Sequence, residues 1–477
     1  MHQLTNENGG PIFRLRSTDA LLGTHEELRR QEIYFGRPSE LNDPVEGFTD
    51  VSWLGDQILW GNLIRHYLLC LSWYATYWLI STVEEYEPGP IWGRLTVADL
   101  PTNDYKRLYA DVCEEFGRAL NIDEASKLLS SLDAPLRREG LRAVLTLIHP
   151  VAASCLMQTF RERGLSEVSL PSLGNPESVM QVLVAMRELG SDGDLPDIPL
   201  TDQLETVGQV VNQLHDQMQL SLQSHSPTPN ANKWNDLLTT FPQRYVDAAI
   251  GDLHFPPWRT ACFTQTCTNA SIWGTYADGH KGAALVFRPS YEGEKRRLML
   301  SGLIGSSGQA RPFEFLPVDY RDQPPAIDFF RTMGRLPMAK IRDTWFTNSA
   351  GQVSPRFNEI FGDEEQWRTD YWRKAMNVAT WKLRDWQHEK EERLVATTPF
   401  DDDPAPQPLK YQFSQLEGIV FGMRTSMDDK LEIAKFIEEK CQAENRQDFR
   451  FFQCFYSGTK ASLDTKELTL LSFDADS

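Results

Sequence analysis

A chain of 477 residues is long enough for two to four domains at roughly 150 residues each, and needs neither disulfides nor a metal merely to hold a core. With 41% hydrophobic and 24% charged residues and a mean hydropathy of -0.43, it is not a wholly disordered, collagen-like or coiled-coil chain. Forty-eight Lys and Arg against 67 Asp and Glu give a net charge of -19, which opposes non-specific attraction to nucleic acid or anionic membrane and leaves room only for a local basic groove.

The first fifty residues read as a small α/β unit. Ile12 to Leu15 alternates as a short strand, and Ser17, Thr18 and Asp19 offer N-cap groups for a helix running to about Gln31. Ile33 to Phe35 is a second strand, stopped by Gly36 and Pro38, with the turn Asn42-Asp43-Pro44 beyond it. From about Ile58 to Ile250 apolar residues recur at three- and four-residue spacing. Helices are expected near Tyr105 to Ala119, Glu124 to Leu132, Leu136 to Ile148, Val151 to Arg163, Pro176 to Leu189 and Leu204 to Leu222, with a linker at Ser224 to Lys233. Tyr67 to Thr82 carries no charge but falls short of the ~20 apolar residues a bilayer span requires, so a buried helix, or else a contact with a membrane or a partner, is expected there.

Strand character returns at Trp258 to Phe263, Gly282 to Phe287 and Pro312 to Tyr320. Helices are expected from Asp328 and from Glu364 to about His388, then strands at Glu392 to Ala396 and Leu416 to Phe421. A last helix, Asp428 to Cys441, precedes strands at Phe451 to Tyr456 and Glu467 to Leu471. The expected architecture is α+β. A mixed or antiparallel sheet domain forms from residues 1–56 and 251–477, and residues 57–250 form an all-helical insertion. The seven cysteines, Cys70, Cys113, Cys155, Cys262, Cys267, Cys441 and Cys454, never form CxxC, and MHQLTNENGGPIF lacks the features of a signal peptide; a cytoplasmic protein is expected.

Three polar clusters could carry chemistry. Arg14 and Arg16 share one face of the first strand, where either could meet a phosphate or carboxylate, or simply be solvated. Near them, Asn42 lies in a turn with Asp43 and Glu46, and these two acids read as turn and capping groups or as functional acids. The second cluster spans Ala261 to Phe287, where Trp273, Tyr276, His280 and Lys281 suit a pocket that stacks a planar ring and neutralises phosphate, or a packed turn. The third is Glu389-Lys390-Glu391 with Arg393, two acids placed two apart at a strand entrance, where repulsion would separate their pKa values. His66 heads the apolar helix and reads by default as a buried, hydrogen-bonded histidine. The nine histidines form no HxH or HExxH pattern and no serine lies in GxSxG, so no metal is expected.

Taken together, these motifs resemble bacterial domain-of-unknown-function family 2971. The matching elements are Phe13-Arg14, Phe35 to Pro38, Asn42-Asp43-Pro44-Val45-Glu46, Cys262-Phe263-Thr264, Trp273, Tyr276, His280-Lys281-Gly282, Trp386, Glu389, Glu391, Arg393 and Ile419 to Gly422. They cover both ends of the chain and skip the helical block. More distantly, the order of Arg14 or Arg16, Thr264 and Glu389-Lys390-Glu391 is similar to ADP-ribosyltransferase-type toxins. That similarity implies an NAD-using transferase or an NAD glycohydrolase, with NAD as substrate, an arginine on its pyrophosphate, Thr264 beside the nicotinamide ribose and Glu391 stabilising the ribosyl cation. It also implies Trp273 or Tyr276 on nicotinamide, and Glu389 orienting a nucleic-acid or protein acceptor. A toxin or antiphage defence setting follows by analogy only. Two other readings stand beside it. One is a metal-dependent nuclease or hydrolase gathering Mg²⁺ on Asp43, Glu46, Glu389 and Glu391; the other is a non-catalytic sensor whose helical block binds a partner protein.

Overall fold

The computed structural model describes residues 10–80, 89–132, 134–166, 181, 199–225, 236–302, 309–397 and 408–470. The expected helix at Pro176 to Leu189, Gln181 apart, and most of the linker at Ser224 to Lys233 lie outside the described residues. The fold is α+β, and the chain divides into two units. One comprises Met1–Phe48, Pro256–Pro325 and Met376–Ser477; the other comprises Thr49–Phe255 and Ala326–Ala375.

The first unit is built on an eight-stranded mixed sheet. Its strands are β1 (Ile12–Arg16), β2 (Trp258–Thr264), β3 (Ala283–Phe287), β4 (Leu316–Pro317), β5 (Glu391–Thr397), β6 (Leu416–Phe421), β7 (Arg450–Ser457) and β8 (Ser462–Glu467). Their order across the sheet is β4-β5-β2-β1-β3-β6-β7-β8, antiparallel throughout except for the β6–β7 pair. The two-residue alternation of the central strands feeds two cores. Ile12, Ala261, Phe263, Leu285 and Leu394 pack on one face, with Ile433 and Ile437 of the helix Met427–Ala443. Phe13, Leu15, Ala284, Val286 and Val420 pack on the other, with Ile272 and Trp273 of the helix Ala270–Tyr276.

One irregularity shapes the site. β1 pairs with β3 along its whole length but meets β2 at a single position, Phe13 opposite Thr264. Beyond it the two strands part, and Gly36 takes the vacated place along β2, exchanging both backbone hydrogen bonds with Thr260 at 2.9 Å. The single helix expected up to Gln31 is two short ones, Thr18–Leu22 and Glu27–Arg30. Glu26 and Gln31, both with positive φ, punctuate the second. The helix expected to reach His388 stops at Ala379, where Thr380 hydrogen-bonds back to the Met376 carbonyl at 2.8 Å. Trp381–Leu383 then forms a strand parallel to Asp319–Arg321, and Arg384–Glu389 is a 3₁₀ turn. The last strand is Ser462–Glu467 rather than Glu467 to Leu471, because a polar edge strand carries no apolar alternation.

The second unit is mostly helical but not wholly so. Leu136–Arg137 pairs with Asp50–Trp53, which also carries Ala326–Asp328. The segment Ala326–Ala375 groups with this unit, which is therefore itself discontinuous in sequence. The two helices expected on either side of Pro150 are one, Arg138–Glu162. A proline inside a helix costs about 3 kcal/mol, and burial of Leu145, Ile148, Val151 and Leu156 around it offsets that cost. The charge-free segment from Tyr67 belongs to the helix Gln57–Ile80, with Tyr67, Leu68 and Leu71 fully buried. Among the described residues only Arg138–Glu162 is long and apolar enough to cross a membrane, and 78% of its apolar stretch is buried inside the protein.

Candidate active site

The cleft opens in the first unit where β1 and β2 part. It offers about 920 Å³, within the range of small-molecule sites. Arg14, Arg16, Asn42, Cys262, Thr264, Tyr276, Glu389 and Glu391 all contribute to its wall.

Arg14 is set in the gap itself. Its Nη1 donates to the Cys262 carbonyl at 3.2 Å and its Nη2 to the Tyr34 carbonyl at 3.1 Å, while the guanidinium lies over the Phe263 ring. The Cys262 carbonyl lacks a β1 ladder partner because the strands part, and the arginine satisfies it. Arg14 makes no ion pair among the described residues. Burial, with Arg16 close by, lowers its pKa to about 10, still far above neutrality. Arg16 differs: its Nε donates to Glu27 at 2.8 Å and its Nη2 completes a bidentate pair with the same carboxylate. Arg14 is therefore the cleft arginine without a carboxylate of its own.

The acids are held by a buried network. Lys382 Nζ lies 2.8 Å from Glu389 Oε2, 3.1 Å from Glu46 Oε1 and 3.3 Å from Glu391 Oε2, and 4.6 Å from the centre of the Trp386 ring. Arg393 donates through Nε to Glu391 at 2.8 Å, through Nη2 to Glu46 at 2.5 Å and through Nη1 to the Ala379 carbonyl at 2.9 Å. Three carboxylates against two cations leave a formal charge of -1. Burial opposes the charge on Glu391, but Arg393 and Lys382 outweigh it and hold the carboxyl well below the usual range. Glu46 goes the other way, raised chiefly by burial although the same two cations face it. Burial also lowers the affinity of Lys382 and Arg393 for their protons, and the surrounding carboxylates reverse this, so both stay charged.

Glu389 and Glu391 converge, but not by strand alternation. Glu389 ends the 3₁₀ turn, Lys390 adopts the left-handed conformation at φ 47°, and Glu391 is the first residue of β5. That one left-handed residue brings both carboxylates onto Lys382. Thr264, opposite Glu391 in the β2–β5 ladder, donates its hydroxyl proton to the Glu389 carbonyl at 2.7 Å. The Tyr276 hydroxyl donates to Glu389 Oε1 at 2.8 Å, and burial pushes its pKa far up, so it remains a donor. The backbone N–H of Glu391 donates to the Tyr320 hydroxyl at 2.8 Å.

Several expected residues are elsewhere. Trp273 is fully buried in the core, and its indole N–H donates to the Cys267 carbonyl at 2.7 Å, so it offers no face to a ligand. His280 and Lys281 belong to the turn ahead of β3, with Asp278, Gly279 and His280 all at positive φ. A side chain at Gly282 would meet the Arg16 carbonyl at 2.0 Å, so this turn brings two backbones together rather than a ligand. Lys281 pairs with the exposed Asp278. Asp43 is buried and accepts from the Val45 N–H at 3.0 Å, a turn contact. Glu46 and Arg393 stand behind the cleft acids, in the network, and not on the cleft wall.

His66 lies in the helical unit. Its Nε2 donates to the Leu95 carbonyl at 3.1 Å, so Nδ1 accepts from the Tyr245 hydroxyl at 2.8 Å, and burial lowers its pKa to about 4. It is a satisfied core histidine.

Lys382 is the member that the sequence conceals. Read inside a helix running to His388, it is one solvated lysine among many; as the middle residue of a three-residue strand it is 1% exposed and faces three acids. Its flanking Trp381 and the nearby Trp386 are the sole local hint of burial. A comparison of the chain with known protein families, with curated proteins and with solved structures finds no match.

Proposed function

We propose that the protein is an NAD-using enzyme of the ADP-ribosyltransferase-like kind, cleaving the bond between nicotinamide and ribose in the β1–β2 cleft. One observation carries the reading: Arg14, Thr264 and Glu391, on three neighbouring strands, line one cleft of about 920 Å³ in the order that chemistry requires. Arg14 takes the pyrophosphate, since it is the cleft cation with no carboxylate partner. Glu391, kept ionised by Arg393 and Lys382, faces the positive charge that develops on the ribose as nicotinamide leaves. Thr264 fixes the Glu389 backbone at the mouth of β2. Tyr276 supplies the aromatic surface that Trp273 does not.

The same geometry weakens the metal-dependent alternative. Glu46, Glu389 and Glu391 do converge, but on the Lys382 ammonium, which occupies the focus where a divalent cation would be held. The test is nicotinamide release from NAD by the purified protein, with Glu391→Gln as comparison and circular dichroism to establish that both are folded. Release by the wild type and its loss in the variant support the reading. A folded wild type that binds no NAD and releases no nicotinamide overturns it.

A further inference from the structure

The structure bears on which nucleophile the cleft admits. A transferase of the kind above uses a carboxylate near the scissile bond to orient its acceptor, and Glu389 is the residue at that place. Both of its oxygens are already engaged, Oε1 by the Tyr276 hydroxyl at 2.8 Å and Oε2 by Lys382 at 2.8 Å. Its backbone is fixed as well, through the carbonyl that accepts from Thr264 and the left-handed Lys390 that follows. Swinging Glu389 toward an incoming side chain would strip Lys382 of its closest carboxylate in a site where the lysine is 1% exposed.

Access points the same way. Glu389 and Glu391 are 4% and 5% exposed, so an acceptor has to enter the cleft to reach them. A cleft of about 920 Å³ has room for one dinucleotide-sized ligand. A net charge of -19 further disfavours a nucleic-acid acceptor.

We infer that the acceptor is water, so that the protein is an NAD glycohydrolase rather than a transferase; this rests on the NAD reading above. The bond from C1′ of the ribose to the nicotinamide ring nitrogen breaks, and its electron pair leaves with nicotinamide, which becomes neutral. A water oxygen bonds to C1′, one water proton stays on the new hydroxyl, and the other is released to solvent. Glu389 is then a positioning residue held by Tyr276 and Lys382.

The experiment is a product balance. The purified protein is incubated with NAD in ¹⁸O-labelled water, with and without agmatine, a mixed protein lysate and single-stranded DNA. The expected result is one free ADP-ribose per nicotinamide, carrying one ¹⁸O, in every mixture. Tyr276→Phe, which frees Glu389 Oε1, is expected to raise the share of ADP-ribose captured by agmatine above the wild-type share. Nicotinamide release with ADP-ribose attached to agmatine, protein or DNA by the wild type overturns the inference and leaves the NAD reading intact. An unchanged share in a Tyr276→Phe protein that still releases nicotinamide removes Glu389 engagement as the reason. Absence of nicotinamide release overturns the NAD reading and this inference with it.

Discussion

Replacing Lys382 with methionine tests the network that holds the cleft acids. The substitution keeps most of the apolar stem, one heavy atom shorter, and deletes an ammonium within 3.3 Å of three carboxylates. The formal charge of the cluster goes from -1 to -2, and Glu389 loses its only cationic partner within ion-pair distance among the described residues. Removing one partner from a buried ion network costs about 3–5 kcal/mol, because the remaining charges stay buried without compensation. The proper assay is urea unfolding of wild type and variant at pH 7.5 and 5.5, followed by circular dichroism. The sign at lower pH follows from Glu46, whose carboxyl is already raised: without Lys382 it takes up a proton more readily, relieving the repulsion, so the deficit shrinks at pH 5.5. Adding Glu46→Gln should recover part of the loss, giving a coupling energy on the order of 1–3 kcal/mol in a double-mutant cycle. A Lys382→Met deficit below about 1 kcal/mol, or one that is the same at both pH values, would refute the claim that the lysine is charged and clamps the acids.

The remaining expectations are independent of one another. Arg14→Met should raise the KM for NAD by roughly 10- to 100-fold, the loss of a charge-assisted contact worth about 1.5–3 kcal/mol. Arg16→Met should do much less, since Glu27 already occupies that guanidinium; equal effects on the KM would remove the distinction between the two. Trp273→Phe should leave the KM for NAD unchanged while lowering the melting temperature, because the indole is core and its N–H loses the Cys267 carbonyl. A raised KM with an unchanged melting temperature would put the ring in the cleft after all. In the helical unit, burial lowers the pKa of His149 from 6.5 to about 4, with its Nε2 donating to the Leu237 carbonyl. The unfolded chain takes up that proton first, so stability present above pH 6.5 is lost as pH falls toward 4, by on the order of 3 kcal/mol. His149→Gln should therefore show a smaller drop in urea midpoint between pH 7 and pH 4.5 than the wild type, and an identical drop would remove the histidine from the account.

The α+β class and the central strands were readable in the residues because they are consequences of periodicity. Alternating apolar residues at Ile12 to Leu15, Trp258 to Phe263 and Leu416 to Phe421 have a core on at least one face wherever they pair, and the three- and four-residue spacing from Ile58 onward suits helices in almost any packing. The candidate acids could be singled out for a related reason, since polar residues at the ends of buried strands have few places to go but a cleft, whereas Thr264 is singled out only through the resemblance to ADP-ribosyltransferase-type toxins. What local pattern lacks is the identity of the neighbours. Nothing near Lys382 in sequence announces three acids, one of them Glu46 more than three hundred residues away, and only the pairing of Trp381–Leu383 with Asp319–Arg321 turns that stretch from helix to strand. Likewise Arg14 and Arg16 are equivalent on a strand until Glu27 neutralises one and the parting of β1 from β2 gives the other two carbonyls to hold. Trp273 reads as a stacking ring or as core with equal ease, because an aromatic residue buries the same area in either place. Periodicity is a property of neighbours along the chain, whereas the charge that a buried group meets is set by residues brought together from distant segments, and in a low-dielectric interior that charge decides what the group can do.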